Sequence, residues 1–271
     1  MKAVVYLFFA VFYSAPLLAG DTTIIKSLKL GTTKVNVITK CFIECDSNIS
    51  FINVHENEST SVEAAENFLI NNGGTLTQLI HSGERYISFY IGKKKFYIDP
   101  NRIYTKKGIA ATLKKLGHFN AEAAKKVDSF ATQILQNFVD GKKLVVALHN
   151  NTDNNYSIES YKIGGDEAIN AASVFINEQM DPDDFVVTTD STLFNLIKEK
   201  NITVVLQNNK RVLDDGSLSV YAARKKIPYL NIEAQEDHQK EQLDILKALK
   251  DIILQFGSIF TAVQPVEAIL K

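Results

Sequence analysis

Leu144-Val145-Val146-Ala147-Leu148-His149-Asn150-Asn151 is the stretch on which the fold turns. Five consecutive apolar residues with no polar alternation describe a strand buried on both faces, which needs helices above and below it. The residues before it supply one: a helical pattern over about 121–139 ends at the Asp140-Gly141 turn. Working outward, β-branched or aromatic runs at 35–42, 51–54, 185–188, 202–206 and 229–232 read as strands, and 86–91 with 95–98 as a hairpin around Gly92-Lys93. Between them, helices are expected at about 61–70, 166–177, 192–199, 218–225 and 239–253, the first opened by a capping-box pattern at Thr60-Ser61-Val62-Glu63 and closed by Asn71-Asn72-Gly73-Gly74. Strands alternating with helices predict a single α/β domain, with a mixed central β-sheet covered by helices on both faces. No repeat, low-complexity tract or linker divides it.

Composition narrows the function classes. The 271 residues are 45% hydrophobic, enough for a full core, and 30 basic side chains against 31 acidic ones leave no basic stripe for nucleic acid. Residues 1–20 have the layout of a secretory signal peptide: Met1-Lys2, an apolar run over 3–12, then Ser14, Pro16 and a small-residue exit at Ala19-Gly20. The expectation is a leader at 1–20 and a catalytic domain at 21–271, secreted or periplasmic and free of the membrane after cleavage. Cys41 and Cys45 then lie in an oxidising compartment. Four residues of extended strand span about 13 Å, beyond the roughly 4.4–6.8 Å that a disulfide tolerates. Pairing therefore needs a turn there, and burial as two small apolar residues is the other reading.

Three buried-looking strands each deliver a chemically useful side chain at the carboxyl end. Residues 51–54 run into His55-Glu56-Asn57-Glu58, 144–148 into His149, and 229–232 into Glu233. In open α/β sheets that edge is where ligands bind. Imidazoles of His55 and His149 with the carboxylate of Glu58 make a His2Glu zinc site with one position open for water. Zinc lowers the pKa of that water toward about 7 and polarises a carbonyl. Glu233 supplies a carboxylate to take the water's proton and return it to a leaving amine. Asp99-Pro100-Asn101-Arg102 ends the strand at 95–98; Asn101 and Arg102 offer a planar donor for a carboxylate, or simply a turn with an exposed Arg. His81, His118 and His238 sit beside turns or in a charged run and are read as surface histidines.

In this order, H-x-x-E, an Asn-Arg pair, a lone His ending a strand and a later Glu ending another resemble the zinc carboxypeptidase (M14-type) superfamily, which includes the succinylglutamate desuccinylase and aspartoacylase branch. The resemblance runs from about Phe51 to Gln235. It implies zinc ligands at His55, Glu58 and His149, a general acid/base at Glu233, and binders of a substrate's terminal carboxylate at Asn101 and Arg102. It also implies an Arg that polarises the scissile carbonyl; Arg85 fits the peptidase spacing and Lys94 lies near the deacylase position, and Arg85 is the choice. Asp214-Asp215-Gly216-Ser217-Leu218-Ser219 resembles the specificity segment, with Ser219 arguing against a strongly charged side-chain preference. Tyr156, Tyr161 and Tyr221 are candidates for the family's closing Tyr, and none is assigned.

The function so implied is an exported zinc hydrolase acting on a peptide or N-acyl amino acid with a free carboxylate, carboxypeptidase action first and deacylation second. An exported binding protein on the same scaffold is the reading from a different class.

Overall fold

A computed structural model describes residues 22–258 except 44, 46, 47 and 154, so the expected leader lies outside the described residues. Nine strands form the central sheet: β1 (Thr22–Leu30), β2 (Thr33–Phe42), β3 (Ile49–Asn53), β4 (Gly74–Ile80), β7 (Leu144–Asn151), β8 (Ala171–Phe175), β9 (Phe185–Thr188), β10 (Val204–Gln207) and β11 (Tyr229–Gln235). β5 (Ile87–Ile91) and β6 (Lys94–Ile98) make a separate hairpin. The order across the large sheet is β1-β2-β4-β3-β7-β11-β9-β10-β8. Its centre is parallel, β4-β3-β7-β11, and antiparallel pairings flank it on both sides, so the sheet is mixed. The helices are α1 (Ser59–Asn72), α2 (Lys106–Lys115), α3 (Ala121–Phe138), α4 (Ser191–Glu199), α5 (Leu218–Lys225), α6 (Gln239–Ala248) and α7 (Lys250–Ser258).

The apolar run of β7 works as its pattern dictates. Val145 and Ala147 join Ile52 and Tyr229 in a core beneath α2, α3 and α5. Leu144, Val146 and Leu148 join Phe51, Leu230 and Ile232 in a second core beneath α1, α4, α6 and α7. Successive side chains of one strand therefore feed opposite cores, which is why the run has no polar position.

Several expectations need correction. The helix expected over 166–177 is a short 3₁₀ turn, Ala168–Asn170, followed by β8. The alanines there favour helix, but pairing of Phe175 and Val174 with Val204 and Val205 in β10 places them in the sheet, and tertiary pairing prevails over local propensity. The capping box is absent: α1 starts two residues early, its first residue preceded by Glu58 with no capping bond from that side chain, and Asn150 from β7 accepts the backbone N–H of Ser61 (2.8 Å). The stretch at 239–253 is two helices divided at Leu249. β1, β4 and α2 went unread in the sequence. Cys41 and Cys45 form a disulfide with Cα atoms 5.3 Å apart; the chain turns just past β2, where Ile43 takes a φ of 56°.

One close approach shapes the site. A Cβ on Gly216 would lie 2.5 Å from both the Arg102 carbonyl oxygen and the Gly108 Cα. Only glycine lets the Asn101-Arg102 turn, α2 and the start of α5 meet there.

Candidate metal centre and cleft

His55 and Glu58 follow β3 on the turn into α1, closed by a bond from the Glu58 N–H to the His55 carbonyl (3.1 Å). His149 lies inside β7, and Glu233 stands opposite it in β11, in register. The strand ends thus converge. Glu58 Oε1 is 2.8 Å from His55 Nδ1, Glu58 Oε2 is 2.9 Å from His149 Nδ1, and the two Nδ1 atoms are 3.2 Å apart. None of the three residues is more than 3% exposed.

The donor set fits a zinc ion. Bonds of about 2.0–2.1 Å in a tetrahedron give ligand atoms about 3.3 Å apart, close to the three separations found. The partner of His55 on its other side supports this. Asp99 Oδ1 lies 2.8 Å from Nε2, so the hydrogen-bond network assigns the ring proton to Nε2 and a lone pair to Nδ1. That lone pair then faces a carboxylate oxygen and a second imidazole nitrogen in a buried space. Only a cation between them, or a second proton on His55, makes the arrangement favourable. Accordingly, although burial lowers the pKa of His55, Glu58 and Asp99 outweigh it and raise the value. Burial likewise opposes ionisation of Glu58 and Asp99. The neighbouring imidazoles prevail at Glu58, and His55 above all at Asp99, holding both carboxyls well below the usual range.

A cleft of about 520 Å³ opens beside these residues and includes Arg85, Asn101, Arg102 and Glu233. Glu233 is 6% exposed, and its Oε1 accepts from Asn231 Nδ2 (2.8 Å). Burial pushes its carboxyl above the ordinary range, with His149 pulling the other way. Arg85 comes from the loop between β4 and β5 and donates from Nη1 to Glu58 Oε1. Lys94, its alternative, opens β6 on an exposed position and is absent from the cleft lining. Asn101 is fixed by the Leu218 N–H, which its Oδ1 accepts (3.1 Å), and its Nδ2 lies 3.4 Å from His149 Nε2. Arg102 donates from Nη1 to the Asn101 carbonyl (2.8 Å) and pairs through Nε with Asp215 Oδ2 (3.2 Å). Nη2 takes part in neither of these two contacts.

Sequence reasoning missed two features, and left the choice among three tyrosines open. Asp99 read as a turn residue, though a carboxylate ending a strand just before Asn-Arg was a signal. Asp215 and Glu167 line the same cleft as Ser219, so Ser219 alone does not describe its charge. Tyr156 and Tyr161 line the cleft with their hydroxyls bonded to one another, whereas the hydroxyl of Tyr221 donates to Asp140 (2.8 Å) away from it. Of the other histidines, His118 packs on Phe96 and His81 bonds Ser82. His238 lies near Asp181 and Asp184, a spacing that could hold a cation, and its ion pair with Asp184 (3.0 Å) accounts for it without one.

Neither protein-family models nor curated proteins match the chain. Solved structures do resemble it. One is the murein-tripeptide amidase MpaA from Escherichia coli O157, 13% identical over 87% of this chain and 92% of that one, with a TM-score of 0.43. An aspartoacylase family protein from Mesorhizobium loti is 13% identical over 85% of this chain and 67% of that one, TM-score 0.43. Thrombin activatable fibrinolysis inhibitor is 12% identical over 87% and 72%, TM-score 0.47. The likeness is one of chain path, and the chemistry proposed below is drawn from the side chains.

Proposed function

We propose that this chain is an exported zinc-dependent hydrolase that cleaves an amide bond next to a free carboxylate, in the manner of a metallocarboxypeptidase. The observation that carries the reading is the buried triangle of His55 Nδ1, His149 Nδ1 and the Glu58 carboxylate, with Glu233 in register beside it.

His55, Glu58 and His149 would hold the zinc ion, which supplies Lewis acidity toward a carbonyl and makes water at the site easier to deprotonate. The protein's own residues do the rest. Glu233 as carboxylate takes one proton from water as its oxygen adds to the amide carbon. The same proton then passes to the departing nitrogen as the C–N bond breaks. A carboxyl raised by burial suits both halves of that task, since it accepts and releases a proton nearer to neutral pH. Arg85, beside Glu58, offers its guanidinium to the negative charge growing on the carbonyl oxygen. Arg102 and Asn101 hold the substrate carboxylate and so fix the bond to be cut.

The test is turnover of a C-terminal peptide series and of N-acyl amino acids by the zinc-loaded protein and by Glu233→Gln. Peptide hydrolysis is expected, falling about 10²–10⁴-fold in the variant with zinc retained. Turnover only of N-acyl amino acids would move the reading to a deacylase. Inactivity on both classes with zinc bound, or an unimpaired Glu233→Gln, would overturn it.

A further inference from the structure

Glu56 sits between the two candidate ligands of its own tetrapeptide, yet its carboxylate faces the loop that carries Arg85. Its Oε2 accepts from the backbone N–H groups of His81 and Ser82, each at 2.6 Å. These amides outweigh burial and hold the Glu56 carboxyl below its ordinary range. Gly83 takes a φ of 77°, a conformation that turns the loop after the grip. Two residues further on, Arg85 reaches Glu58. The loop between β4 and β5 is therefore held twice by one short stretch, at its start by Glu56 and at its arginine by Glu58.

We infer that Glu56 is a positioning residue for Arg85: by binding the amides of His81 and Ser82 it fixes the loop so that the guanidinium arrives at the reacting carbonyl. This rests on the role proposed for Arg85. Charge-assisted bonds from a carboxylate to backbone N–H groups are short and strong, as these are, and suit a loop that must not drift. A displacement of about 1 Å at a reacting group can cost about 100-fold in rate.

Two measurements test it. In the metal-free protein, Glu56→Ala is expected to speed amide exchange at residues 81–85 while β3 and β7 stay protected, and Glu56→Gln, which keeps one acceptor oxygen, to speed it less. In the zinc-loaded enzyme, Glu56→Ala is expected to lower kcat about 100-fold with KM little changed, and to cost nothing further once Arg85→Ala is present. Unchanged exchange at 81–83, or an equal loss of kcat with and without Arg85, would overturn it. The exchange arm needs no substrate, so a protein inactive on every substrate would count against the proposed function and leave this inference to be decided on exchange.

Discussion

Asp99 shows what a single residue contributes beyond the ligands themselves. Two of the three residues in the buried His55–Glu58–His149 triangle stand in the tetrapeptide His55-Glu56-Asn57-Glu58, and their proposal as metal ligands could start there because residue type and spacing are local facts. Which nitrogen of His55 carries the proton is not local. It depends on a carboxylate 44 positions away, brought in by the end of β6. A carboxylate that holds a ligating imidazole in one tautomer and orientation typically accounts for 10–100-fold in metal affinity. Asp99→Asn is accordingly expected to weaken zinc binding by about that factor, measured by competition with a chromophoric chelator. An unchanged affinity would mean that Asp99 merely closes the turn, where it also accepts the Asn101 N–H (2.9 Å).

At the scale of elements, the strands that carry the site were legible and the edge of the sheet was not. β7 and β11 are buried on both faces, so their composition alone declares them. β8 is at the sheet's edge, and its alanines carry no period that distinguishes strand from helix until β10 pairs with it. The start of α1 was misplaced for a related reason: its cap comes from Asn150 in another strand. The approach to α6 is also fixed from afar, by the His238–Asp184 pair. Burial lowers the pKa of His238, but Asp184 prevails and raises it. Its contribution to stability is therefore fully present below the unfolded value near 6.5 and is lost as pH rises through the higher folded value. Thermal melts from about pH 5.5 to about pH 8.5 should show the wild type's advantage over His238→Gln shrinking as pH rises. An advantage constant with pH would mean that the imidazole contributes by packing alone.

For the whole molecule, one sheet divides two cores, and the parallel centre of that sheet delivers the site at its carboxyl edge. That edge is where a doubly covered α/β sheet leaves space, since the helices protect the faces and not the strand ends. No helix among the described residues is long and apolar enough to cross a membrane. His55, Glu58 and His149 are the proposed ligands of a single zinc ion. Elemental analysis after exhaustive dialysis measures it directly, in the wild type and in His149→Ala. One zinc per chain in the wild type and a large loss in the variant is the expected result. A wild type without stoichiometric zinc, or a variant that keeps it in full, would mean that these three residues do not hold the metal.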